Sequence, residues 1–134
     1  VLTCGVIAAR STCPVRPTIV CVKSDSTRIT ARSAGRVTAG RFDAHAPIAL
    51  AAGVPQAAVD AMRVVPLPAD APLSPSEAVA LRLTDAMTRD IDVPDALYAE
   101  VRTHFDAQGQ IDLVATIAAY NMVSRFLVAL HIGH

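Results

Sequence analysis

A chain of 134 residues has room for one domain with a core of its own, but not comfortably for two. It is 52% apolar and 18% charged, with no Trp, a formal net charge of zero and a pI near 7.1, so nothing overall favours a polyanionic partner. The longest apolar run, LVATIAAYNMV at 113–123, is broken by Asn121 and falls short of a bilayer span, and the apolar start VLTCGVIAA has no basic flank before it. A soluble, cytoplasmic protein without a membrane partner is the expectation.

The charge is unevenly spread. Residues 1–42 hold seven of the twelve basic residues but one of the twelve acids, Asp25, together with all three cysteines, Cys4, Cys13 and Cys21. Within this stretch PTIVCV resembles a strand fragment and KSDSTRITARSAGR a flexible basic tract with no helical stripe. Segment 1–41 is therefore expected to be irregular and distinct from the remainder of the chain. A shifted reading frame or a replaced N-terminus accounts for such a break, since a GC-rich gene read out of frame tends to yield Arg, Ser and Pro.

From residue 42 onward the pattern is helical. HAPIALAA predicts a short helix closed by Gly53, and PQAAVDAMRVV a second with Pro55 in its first turn, where a missing N–H is harmless. Four prolines between 66 and 75 predict a loop. Ser74-Pro75-Ser76-Glu77 has the capping-box pattern, opening a helix whose inner stripe is Val79, Leu83, Ala86 and Met87.

IDVPDALYAEVRTHF repeats that grammar, with Asp92 as expected N-cap, an inner stripe of Leu97, Val101 and Phe105, and Gly109 as its end. The last helix, about 111–131, is apolar all round. It is expected to be the central helix, buried by its neighbours or by another subunit, with Asn121 and Arg125 as its polar pair. Residues 42–134 thus predict an all-α fold, a small helical bundle.

HAPIALAAGVPQAAVDAMR, followed by LSPSEAVALRLTDAMTRDIDVPDALYAEVRTHFDAQGQIDLVATIAAYNMVSRFLVALHI, resembles the carboxymuconolactone decarboxylase family over about residues 42–132. The resemblance is carried by His45, Ala49 and Gly53 in a His-x3-Ala-x3-Gly pattern, by VPDALYAEVRTHF and by the closing IDLVATIAAYNMVSRFLVAL. It implies an all-helical domain of the alkylhydroperoxidase-like type, a homo-oligomer, and either lactone decarboxylation in aromatic-compound catabolism or thiol peroxidase chemistry. The family's histidine follows a Tyr-Glu-aromatic tract. Here Gly40, Arg41 and Phe42 occupy those places, so a carboxylate has become a cation.

Such a decarboxylation needs one group to hold the leaving carboxylate and another to deliver a proton to the carbon left behind. His45 is the candidate catalytic residue, since an imidazole titrates near neutral pH and general acid–base catalysis contributes about 10²–10⁴-fold. Its alternative is a packing or capping role at the helix start. Arg125 and Asn121, one turn apart, are the candidate substrate-binding pair for a lactone or carboxylate. Their alternative is an inter-helix or inter-subunit ion pair with one of the many Asp residues.

The peroxidase branch needs a CxxC pair, and residues 42–134 contain no cysteine, which disfavours it. No cofactor and no metal are expected. His104 lies beside the Leu97–Val101–Phe105 stripe and is given no role. HIGH at 131–134 spells a nucleotide-binding signature, but that motif works where a strand turns into a helix, and here it reads as the frayed end of the last helix. A different class of function also fits: a non-catalytic helical oligomerisation module with a basic arm. Nucleic acid is the less expected partner, because the arm offers no aromatic residue for stacking.

Overall fold

A computed structural model of the chain describes residues 45–64 and 66–132. The basic segment, its cysteines, Arg41 and Asp43 lie outside the described residues. Among the described residues the fold is all-α, with no strand: α1 (45–51), α2 (Gln56–Ala61), α3 (Pro75–Asp85), a π-helical turn (Ala86–Asp90), α4 (Asp95–His104) and α5 (Ala107–Ala129).

Local chemistry sets most of the boundaries. Gly53 closes α1 with φ 85°, a left-handed conformation that a residue without Cβ enters freely, and the next residue's N–H, that of Val54, donates back to the Ala49 carbonyl at 3.0 Å. At α3 the predicted capping box is formed: the Glu77 N–H donates to Ser74 Oγ at 3.3 Å, and the Ser74 N–H donates to Glu77 Oε2 at 3.0 Å.

Three predicted boundaries move. Helix α2 has Pro55 as its N-cap and ends at Ala61, so it is shorter than the apolar pattern suggests. Asp92 is not the N-cap of α4; the chain stays extended through Pro94, which takes that place, and Asp95 supplies the acid of the first turn. Gly109 does not end α4. That helix stops at His104, Phe105 turns extended, and Gly109 sits buried inside the first turn of α5, where its N–H donates to the capping Asp106 Oδ1 at 2.7 Å. A Cβ at Gly109 would stand 3.1 Å from that same oxygen, so the cap and the glycine fit one another.

The central helix is α3, not the last one. Val79, Ala80, Leu81, Leu83, Thr84 and Asp85 are all buried, on more than one face. Leu81 joins a cluster with Ala49, Val59 and Met62 from α1 and α2, while Val79 and Leu83 join a second with Val101, Phe105 and Ile117 from α4 and α5. The corner between α4 and α5 is tied by Gln110, whose Nε2 donates to the Phe105 carbonyl at 2.8 Å and whose Oε1 accepts from the Tyr98 hydroxyl at 3.1 Å.

Helix α5 buries one stripe only: Gly109, Leu113, Ile117, Asn121 and Ser124. Its remaining apolar residues face outward, Met122 with 66% and Phe126 with 62% of their surface exposed. Its all-round hydrophobicity led to the expectation of a central helix buried by neighbours or by another subunit; among the described residues the neighbouring elements cover only one side. By length and composition α5 is also sufficient to cross a membrane. It also supplies Leu113 and Ile117 to the shared core.

Candidate functional site

The π-helical turn continues directly from α3, and wider turns of this kind commonly mark functional positions in helices. It is closed by Ile91, whose φ of 53° and ψ of 29° place a β-branched residue in the left-handed region. The turn brings Thr88 and Met87 against α5. Thr88 is buried, and its Oγ1 accepts a hydrogen bond from Asn121 Nδ2 at 3.0 Å across 33 residues of sequence.

Beside that contact lies an open groove of about 490 Å³, lined by Met87, Ala118, Asn121, Met122, Arg125 and Phe126. Five of these residues come from α5 with spacings of three and four, so they form one face of that helix. The groove unites the two residues predicted to bind substrate. Asn121 forms part of its wall with 5% of its surface exposed, and its Oδ1 is buried without a hydrogen-bond partner. Arg125 is exposed, and no carboxylate among the described residues pairs with it. A guanidinium over an apolar floor suits an anion, while the uncommitted atom of the Asn121 amide, Oδ1, is an acceptor.

His45 is placed elsewhere. It is half-buried at the start of α1, and its ring meets Tyr120 of α5 edge-to-face, with centroids 6.3 Å apart and an interplanar angle of 87°. At about 100° of helix rotation per residue, the groove residues of α5 stand roughly 100–160° around the axis from Tyr120. His45 and the Arg125–Asn121 pair therefore approach different sides of one helix.

The other charged groups are outside the groove. Arg82 and Glu100 form a half-exposed ion pair between α3 and α4, and the hydrogen bond from the Arg82 guanidinium, with its charge, holds the Glu100 carboxyl below its ordinary pKa; His104 adds a smaller pull in the same direction. His104 is half-buried at the end of α4, as its boundary position suggested. His131 is exposed in the turn after α5 with φ 53°. Among the described residues no cluster of three or more His, Cys, Asp or Glu side chains could hold a metal ion.

Thr88, Met87 and Phe126 were not legible as site residues in the sequence. The i, i+4 spacing of Asn121 and Arg125 was a usable signal within one helix. The thirty-three residues separating Thr88 from Asn121 leave no local trace, because only tertiary packing joins them. The chain matches no protein-family model, and neither the curated proteins nor the solved structures include one significantly similar to it.

Proposed function

We propose that the chain is a carboxymuconolactone decarboxylase-like lyase that holds a small carboxylate-bearing lactone in the α5 groove. The observation that supports this reading is the Arg125 guanidinium, with no carboxylate of the described residues against it, set beside a buried amide in an apolar groove. In this reading Arg125 and Asn121 orient the acid, Met87 and Phe126 hold the ring, and the His45 imidazolium delivers a proton to the carbon from which CO₂ departs.

Because His45 and the groove lie on different sides of α5, the proton donor for one groove comes in this reading from a second copy of the chain, and the protein acts as a homo-oligomer. The exposed Met122 and Phe126 at the groove supply the apolar surface for that association. The test is carbon dioxide release from a panel of carboxylated lactones by the full chain. His45→Ala lowers the rate by about 10²–10⁴-fold, and Arg125→Gln chiefly raises KM. At a substrate concentration well below the raised KM, where both variants are nearly inactive, mixing them restores part of the activity, because mixed oligomers contain sites with both groups intact. Full activity in His45→Ala refutes the lyase reading; two inactive variants that fail to complement refute the shared site.

A second reading rests on the same exposed face of α5: a non-catalytic helical module whose purpose is assembly. It predicts oligomers by light scattering and no turnover of any lactone. A monomer at micromolar concentration refutes it.

A further inference from the structure

The groove has an unmet requirement besides its cation. Asn121 uses its Nδ2 on Thr88 at 3.0 Å, which fixes the side chain and determines which end of the amide is committed. Its Oδ1 is screened from bulk water and has no hydrogen-bond partner, a costly arrangement for a buried amide oxygen. Asn121 is itself part of the groove wall, so the groove is the side from which a ligand approaches its amide. The terminal torsion of Asn is soft, and turning the amide is what would present Oδ1 to a donor held there. A bare carboxylate has only acceptors, and it is Arg125 that offers donors.

We infer that the groove selects hydroxylated carboxylic acids: the carboxylate is taken by Arg125, and a hydroxyl on the same molecule donates to Asn121 Oδ1. The inference rests on the reading of Arg125 as the carboxylate-binding residue and narrows its ligand from any carboxylate to one carrying an O–H donor. Asn121 and Arg125 are one helical turn apart, so the two polar groups of the ligand sit close together on one edge. Its apolar body lies on Met87, Met122 and Phe126, where two thioethers and a phenyl ring suit an aromatic group.

The probe is a matched pair that differs only by the hydroxyl, 3-phenyllactate and 3-phenylpropanoate, titrated calorimetrically into the full chain. One satisfied buried acceptor makes phenyllactate tighter on the order of tenfold. Asn121→Ala abolishes that preference, whereas Arg125→Gln weakens both. Equal affinities in the unmodified protein, both lost in Arg125→Gln, overturn the hydroxyl selection while leaving the carboxylate site standing. Failure of both acids to bind overturns both. Asn121 also holds Thr88, so if Asn121→Ala does not fold the comparison of the two acids on the unmodified protein decides alone.

Discussion

Replacing Leu81 by Ala tests the claim that α3 is the core of this domain. Leu81 is wholly buried where α3 meets α1 and α2, and truncation removes three carbon groups worth about 0.8 kcal/mol each before any cavity is counted. The void adds to this, because α1 and α2 are held by their own packing and collapse only partly, so a loss of about 3–4 kcal/mol is expected. With a urea m-value of about 1.5–2 kcal/mol/M, the unfolding midpoint falls by about 2 M. Phe126→Ala is the companion variant: its side chain is largely exposed in the single chain, and its truncation changes the dilute-solution stability by less than about 0.5 kcal/mol. Urea denaturation followed by far-UV circular dichroism gives both values. A Phe126→Ala cost equal to or larger than that of Leu81→Ala refutes the assignment of α3 as the central helix; a cost that grows with protein concentration locates Phe126 in an interface between copies.

Ile91→Gly relieves a left-handed β-branched residue that is 76% exposed and has little packing to lose. Relief of about 1–2 kcal/mol of backbone strain outweighs the greater flexibility of glycine, for a net gain of about 0.5–1 kcal/mol by thermal or urea unfolding; a destabilised variant contradicts the strain argument. Asp106→Ala removes the α5 cap and orphans the buried Gly109 N–H, at about 1–2 kcal/mol by the same measurement, and no loss would show that the cap is not holding the helix start. The Arg82–Glu100 pair predicts a pH dependence. Because the folded Glu100 pKa is depressed, the stabilisation is present above the unfolded carboxylate pKa and disappears as pH falls through the folded one. Arg82→Gln is accordingly slightly less stable than the unmodified protein at neutral pH and equal to it in acid; a difference that grows on acidification refutes the assignment.

The sequence determined the elements whose causes are local. The Ser74–Glu77 capping box is two side chains answering two orphan N–H groups three residues apart, and the Gly53 stop is a backbone conformation that one residue type enters without strain. The stripes Val79–Leu83 and Val101–Phe105 were legible for the same reason, since periodicity alone puts them on one face. Asn121 and Arg125 could be paired because helix geometry makes residues four apart neighbours.

Tertiary structure decided which helix is central, and periodicity was misleading there. Hydrophobicity all round α5 records what could be buried, while burial depends on how many neighbours surround it; α3 lies between two clusters and α5 borders one. Gly109 is a stop in the sequence and a tight fit under Asp106 in the fold, because a glycine can serve either purpose and only the path of the chain through Phe105 chooses. The Thr88–Asn121 bond and the separation of His45 from the groove belong to the same class. Both depend on the rotation of α5 about its own axis against distant elements, which its core contacts set and its own sequence does not.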